Sequence, residues 1–429
     1  MTHPTTATQG RTDRDRVTRT LRVLMLAQFF PPDIGGEERH VLNLATELVR
    51  RGHRVSVATQ LLPGTEPYEE LDSGIRVHRF ASTAMRLAGL YSDAARPHHL
   101  PVPDPALTGA LATLIERERP DVVHAHNWIV NSAVAVRRGR SRHPFKLVLT
   151  LHDYSNVCAT KRMMRAGVPC DGPGLARCLP CAAGHFGPAV GTATALSVPV
   201  MRRWKNHAVD HIVSVSNAVA DRNGVPGSPV PSSVIPNFVP DRLLEAHPQT
   251  ADPDLPEGDF LFFAGDLIRD KGVVVLLDAY AALGAGRPPL IMVGRPSPDV
   301  PARLPSGVRL HQQWPHPKVM AAFRRSTVAV VPSIVPDSCP TTVLEAMASG
   351  RPVVTTRTGG MVDMVEDGVS GLLVPPGDSA ALAAALRRLL ADPHLRDRLG
   401  AGGRERVLQF TASSVAARVE NVYREVCGA

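Results

Sequence analysis

Phe260-Leu261-Phe262-Phe263-Ala264-Gly265 is a short apolar run closed by glycine, and it marks the second place in this chain where an alternation of strands and helices begins. Gly265-Asp266-Leu267-Ile268-Arg269-Asp270-Lys271-Gly272 follows it and reads as a strand-to-helix junction. The alternation continues through Leu290-Ile291-Met292-Val293-Gly294, Val328-Ala329-Val330-Val331-Pro332 and Pro352-Val353-Val354. Nearer the amino terminus the same pattern opens at Leu21-Arg22-Val23-Leu24-Met25-Leu26. It passes through an amphipathic helix over Glu38–Arg51, stopped by Gly52, to Val55-Ser56-Val57-Ala58. Asp121-Val122-Val123-His124, Lys146-Leu147-Val148-Leu149-Thr150 and His211-Ile212-Val213-Ser214-Val215 complete the first set. Strands separated by helices imply a parallel sheet covered on both faces. The Pro- and Gly-rich stretch Asn223–Pro256, interrupted by Val234-Ile235-Pro236, reads as the connection between two such units. The expected fold is α/β: two doubly wound domains facing each other across a cleft. Their spans are 21–236 and 237–410, with a disordered tail over 1–20 and a helix over 411–429 packing back on the first domain.

A chain of 429 residues suits two or three domains. Apolar content of 44% and charge of 21% are those of a soluble globular protein. No apolar run reaches membrane-spanning length. Residues 1–20 are polar and Arg-rich without the apolar core of a secretory signal, so the expected location is the cytoplasm. The net charge of +8 permits anionic partners. Basic clusters stand at Arg137-Arg138-Gly139-Arg140 with Arg142, and at Arg202-Arg203 with Lys205. Aromatic residues make up only 4%, and no base-stacking pattern accompanies these clusters, which disfavours nucleic acid. They read as solvated surface, with peripheral contact to an anionic membrane as the weaker alternative.

Chemistry concentrates in the second half. Glu345 sits in the apolar run Val343-Leu344-Glu345-Ala346-Met347-Ala348, closed by Gly350, and Asp337 stands eight positions earlier. Burying a carboxylate is costly unless donors meet it. The two hydroxyls of a ribose would serve, as would nearby backbone. Between the acids, Ser338-Cys339-Pro340-Thr341-Thr342 leads into a helix whose first amides favour an anion such as a diphosphate.

Other motifs are weaker alone. Gly35-Gly36 lies between a strand and a helix, where backbone amides approach an anion closely, although a simple turn has the same look. The pattern is not G-x-G-x-x-G, so a dinucleotide cofactor is poorly supported. Lys271 is placed to neutralise a departing diphosphate, or is a surface lysine. His152 and Asp153 end a strand facing the cleft, and His124 and His126 end another, in lining or packing roles. Cys158, Cys170, Cys178 and Cys181 fall in one short stretch whose last pair has knuckle spacing. Structural zinc ranks first for them, free thiols next and disulfides last, with an iron–sulfur cluster still open. Cys339 and Cys427 stand outside the group.

Together these residues resemble the retaining GT-B glycosyltransferases, specifically glycosyltransferase family 4, from about Leu21 to the end and most strongly over Phe260–Pro376. The marker is the acid-x7-acid signature from Asp337 to Glu345, followed by Ala346-Met347-Ala348-Ser349-Gly350. Thr358-Gly359-Gly360, Gly368-Val369-Ser370-Gly371-Leu372, Val331-Pro332-Ser333 and the Gly294 loop also match. The resemblance implies two Rossmann-like domains, with Glu345 holding the nucleotide ribose. It implies Asp337 and Ser338–Thr342 on the donor sugar, His152 reaching that sugar, and Gly35 and Gly36 near the donor phosphate and acceptor. Two departures stand out. The family's first acid is usually Glu, not Asp337. Asp266 occupies the place of an arginine that binds diphosphate, for which Arg269 or another cation would have to substitute. The Cys-rich insertion occurs in a subset of the family.

The resulting expectation is an enzyme moving a sugar from a nucleoside-diphosphate sugar, UDP- or GDP-linked, to an acceptor hydroxyl with retention of configuration and no catalytic metal. His152, Lys271 and Asp337 are the expected catalytic residues. Gly35, Gly36, Gly265, Arg269, Gly294, Ser338, Cys339, Pro340, Thr341, Thr342 and Glu345 would bind the donor. The acceptor, a small molecule, a glycan or a lipid-linked group, is expected near Pro63–Pro103. A nucleotide-sugar epimerase of the same fold is the alternative, and a non-enzymatic anion binder ranks third.

Overall fold

The computed structural model describes residues 19–428, apart from 33–34, 87–98, 100, 140, 246–251 and 313. The expected disordered tail lies outside the described residues except for its last two positions, and so does Arg140 with part of the stretch Pro63–Pro103.

Among the described residues ten strands come before the second sheet: β1 (Arg22–Leu26), β2 (Arg54–Gln60), β3 (Tyr68–Glu70), β4 (Arg76–Phe80), β5 (Val122–His126), β6 (Lys146–Leu151), β7 (Met164–Arg165), β8 (Val168–Pro169), β9 (His211–Ser214) and β10 (Ser232–Val234). Eight of them form one sheet in the order β10-β9-β6-β5-β1-β2-β4-β3. Only the edge pairing of β3 with β4 is antiparallel, while β7 and β8 make a separate small hairpin. Six more strands build the second sheet, all parallel: β11 (Leu261–Ala264), β12 (Leu290–Val293), β13 (Val308–His311), β14 (Val328–Val331), β15 (Val353–Thr356) and β16 (Leu372–Val374). Their order is β13-β12-β11-β14-β15-β16. Central strands such as β11 and β14 are buried along their whole length, as both-face coverage requires.

The fold is therefore the two doubly wound domains read from the sequence, with differences in detail. The expected connection Asn223–Pro256 contains β10, which belongs to the edge of the first sheet. The first helix runs over Gly36–Arg50 and starts two residues before Glu38. The Glu38 carboxylate accepts the Gly35 N–H at 2.7 Å, and this cap draws Gly36 and Glu37 into the first turn. Val41, Leu44, Ala45 and Leu48 repeat at helical spacing and are buried.

After the second sheet the chain returns. Val239, outgoing, and Thr411, incoming, run side by side, with Val239 N–H donating to the Phe410 carbonyl and Ala412 N–H to the Val239 carbonyl, both at 2.9 Å. The helix Ala412–Cys427 then packs on the helix Gly36–Arg50 and on β6. It buries Val415, Ala416, Val419, Val422 and Tyr423 in the core of the first domain. Each fully buried apolar side chain of this kind contributes about 1.5–3 kcal/mol. Arg51 Nη2 and Glu420 Oε2 add an ion pair at 2.7 Å. Among the described residues no helix is long and apolar enough to cross a membrane.

Two expectations about the basic clusters need correction. Arg137 is not simply solvated but pairs with Asp210. Lys205 is buried, and that burial pushes its ammonium down to about 7.

Candidate active site

In each sheet the strand order reverses once: beside β1, where β5 and β2 flank it, and beside β11, where β14 and β12 flank it. Loops leaving the carboxyl ends of strands at such a reversal diverge and leave a crevice. Gly36 stands where the connection after β1 enters its helix, His126 ends β5, and His152 follows β6. The loops after β11 and β14 carry Gly265 to Lys271 and Ser333 to Pro340. A cavity of about 200 Å³ lies there, lined by Gly36, Gly265, Lys271, Ser333, Asp337, Cys339, Pro340, Thr341 and Thr342 among others.

Lys271 enters on a short turn, Arg269–Lys271, and its Nζ lies 2.6 Å from Asp337 Oδ1. Ser333 Oγ donates to Asp337 Oδ2 at 2.5 Å, so both oxygens of this acid are held. The helix Thr341–Ala348 opens at Pro340 without a side-chain cap, which leaves its first amides as donors facing the cavity. Glu345, on the same helix, is 3% exposed. It accepts from His316 Nε2 at 2.8 Å and from Arg39 Nη1 at 3.4 Å. Arg39 belongs to the first domain, so Glu345 points across the cleft and not into nearby backbone.

Thr358-Gly359-Gly360 supports this loop from beneath. A Cβ on Gly359 would stand 2.1 Å from the Asp337 carbonyl oxygen, and Gly359 also has φ +57°. Gly360 N–H donates to that same oxygen at 2.7 Å. Only residues without a side chain let the acid-bearing loop settle here.

In the first domain, outside the lining of this cavity, His126 Nδ1 and His152 Nε2 are 2.9 Å apart, and the His40 ring lies 4.7 Å from that of His152. Burial pushes His40 down to about 4 and holds His126 and His152 well below the ordinary imidazole range. The three rings are therefore neutral at physiological pH. Asn127 ties this group together: its Oδ1 accepts the His152 backbone N–H at 3.2 Å and its Nδ2 donates to Glu37 Oε2 at 2.6 Å. Burial, with Glu38 and Asp153 nearby, pushes the Glu37 carboxyl up to about 8. His124 does something else. It bonds Tyr423 Oη and Thr150 Oγ1, each at 2.7 Å, and is a packing residue.

Several expected donor residues sit elsewhere than the cavity wall. The Gly35 amide is taken by Glu38. Arg269 is exposed and does not line the cavity, and Gly294 packs its backbone against the Gly265 carbonyl, where a Cβ would stand 1.7 Å away. Asp266 is met by Arg295, whose Nε and Nη2 reach its carboxylate at 2.8 and 3.0 Å, so the acid at this position faces its own counter-charge. Arg39, His40, Glu37, Ser333 and His316 were missed. The first three adjoin Gly36, and helical spacing from that glycine pair was the available signal; nothing local marks His316. Cys158, Cys170, Cys178 and Cys181 line one small cavity at the side of the first domain.

Two facing doubly wound domains with the site at both reversal points make this a GT-B glycosyltransferase fold. The chain matches the model described as Glycosyltransferase Family 4 over residues 34–243 and the one described as Glycosyl transferases group 1 over residues 258–392. It is similar to a D-inositol 3-phosphate glycosyltransferase of Frankia alni, with 30% identity over 91% of this chain and 95% of that protein. A glycogen synthase of Mycobacterium tuberculosis is 26% identical over 94% of each chain. Sucrose-phosphate synthase from Thermosynechococcus elongatus superposes with a TM-score of 0.72 at 20% identity, covering 95% of this chain and 99% of that one. The chain belongs to glycosyltransferase family 4 and is a glycosyltransferase.

Proposed function

We propose that the protein transfers a sugar from a nucleoside-diphosphate sugar, UDP- or GDP-linked, to an acceptor hydroxyl with retention of configuration and without a catalytic metal. The observation that carries this reading is the Lys271–Asp337 pair at the entrance of an uncapped helix. It sets one mobile cation beside free amides, the arrangement a departing diphosphate needs.

In this reading the diphosphate lies on the amides of Thr341 and Thr342, and Lys271 turns toward it as charge develops. The ribose hydroxyls donate to Glu345, displacing the longer contact to Arg39. Asp337 and the neutral His152 bracket the sugar. The bond from the anomeric carbon to the diphosphate oxygen breaks while the acceptor oxygen bonds that carbon from the same face. The acceptor's proton passes to the departing diphosphate. Holding both partners in place supplies much of the acceleration. The acceptor enters from the first domain.

A thermal-shift series with UDP-, GDP-, dTDP- and ADP-sugars tests the donor. One base should stabilise the chain by about 2.7 kcal/mol at a hundredfold excess over Kd, and Glu345→Ala should erase the shift. Absence of any shift across the series refutes the reading. Donor incubated alone should persist, since consumption without acceptor is epimerase behaviour. Turnover abolished by a chelator and restored by a divalent ion would refute the metal-free step.

A further inference from the structure

The segment Cys158–Phe186 departs from the two sheets and has almost no core of its own. Its apolar cluster is Ala159 and Ala182, joined by Ala195 of the following helix, with Cys178 and Leu179 packed against it. Three alanines bury too little surface to offset the ordering of some thirty residues, and small units of this kind are held by metals or disulfides. The six cysteines of the chain are all unbridged.

Four of those cysteines converge on one cavity of about 20 Å³, with Met164, Arg165 and Arg177 also at its wall. Three local devices deliver them. Cys158 closes the turn that follows His152, its N–H donating to the Tyr154 carbonyl at 2.9 Å. The hairpin β7–β8 delivers Cys170, whose N–H reaches the Met163 carbonyl at 2.7 Å. Cys178 and Cys181 lie one turn apart at the start of the helix Leu175–Phe186 and share a face. Gly174 N–H donates to Cys178 Sγ at 3.4 Å.

We propose that Cys158, Cys170, Cys178 and Cys181 bind one structural zinc ion as four thiolates. Zinc accepts such a set tetrahedrally with Zn–S bonds of about 2.3 Å, and a closed four-sulfur shell is the structural type. The bound cage carries two negative charges, and Arg165 and Arg177 stand at its wall to balance them. No three of the four sulfurs lie within 4.8 Å of one another, so the cage closes on binding. Cys170 Sγ and Cys181 Sγ are held only by weak contacts to carbonyls, at 3.4 and 3.9 Å, which they exchange for the ion.

The staple has a reason to exist where it does. The loop it gathers reaches the second domain: Tyr154 Oη donates to the Pro336 carbonyl at 2.6 Å, and Arg162 pairs with Asp270. Pro336 precedes Asp337, and Asp270 precedes Lys271. Zinc thus fixes a strut that bears on both members of the catalytic pair without touching substrate.

Elemental analysis of the full chain, purified without chelators or a metal-affinity step, should find about one zinc per chain. The four thiols should resist a thiol reagent until a mercurial releases the ion in equal amount. Cys178→Ala and Cys170→Ser should drop the metal content to near zero, whereas Cys427→Ser should not. If those variants fail to fold, cobalt exchanged into the wild-type chain should show the intense visible bands of a tetrahedral thiolate complex. Metal-free folded protein with four freely reacting thiols, disulfides seen by mass, or an iron chromophore would each overturn the assignment.

Discussion

Lys271 Nζ lies 2.6 Å from Asp337 Oδ1, joining the loop after β11 to the loop after β14 across the reversal point of the second sheet. With Ser333 on the other carboxylate oxygen, the pair is a latch between the two loops that line the cavity. Lys271→Ala should lower kcat by roughly 10²–10³, the cost of removing one preorganised donor from a developing oxyanion. Donor KM should change little. Steady-state kinetics with the donor found by thermal shift would show it, and an unaltered kcat removes Lys271 from the mechanism.

Glu345 should behave in the opposite way. In the proposed donor complex its hydrogen bonds to the ribose would be made equally in ground and transition states, so Glu345→Ala should raise donor KM by about 10- to 100-fold, the worth of one or two charged hydrogen bonds. A kcat effect larger than the KM effect would place this acid in the chemistry instead.

Gly359→Ala should weaken donor binding from outside the cavity. The added Cβ meets the Asp337 carbonyl and the residue keeps a left-handed φ, so the loop must shift. Shifts of an ångström matter in such sites. Circular dichroism should stay native while the thermal shift with donor is lost. Retention of both would mean the loop has room that its packing denies.

Activity should fall on the alkaline side with an inflection near pH 8, where Glu37 ionises beside Gly36. Below that pH the neutral carboxyl tolerates an anionic donor; above it, like charges repel. Glu37→Gln mimics the protonated form and should flatten this limb. An unchanged profile in the variant assigns the inflection elsewhere.

Stability has its own pH dependence. His40 and His99 are pushed down to about 4 and His124 to about 3 by burial, from an ordinary 6.5. At these histidines the unfolded chain therefore binds more protons than the folded one between those limits, so the stability they contribute is full above 6.5 and is lost as pH falls through the window. Tm measured from pH 8 down to pH 5 should decline steadily below 6.5. Lys205→Met should raise Tm at pH 7, since it removes a buried ammonium.

Patterned elements were legible because they obey one period. The apolar runs at Leu21–Leu26, Lys146–Thr150 and Phe260–Ala264 could be nothing but buried strands between helices, and β1, β6 and β11 lie there. Strands β3 and β4 escaped notice. Tyr68-Glu69-Glu70 is exposed throughout, and Arg76-Val77-His78-Arg79-Phe80 carries charges that its partners satisfy, among them Glu69 on Arg79 at 2.7 Å. The acid pair was visible because a carboxylate in an apolar helix is anomalous by itself.

What the linear chain settles here is local: where backbone must be buried, where glycine must bend, and which side chains are costly to leave unpartnered. Those constraints act between neighbours and are written in spacing. The partners themselves came from folding. Arg39 and His316 reach Glu345, Arg295 answers Asp266, and Gly359 lies under Asp337, through contacts between residues far apart in order. Electrostatic and packing energies depend on distance in space, and only the folded chain sets that distance.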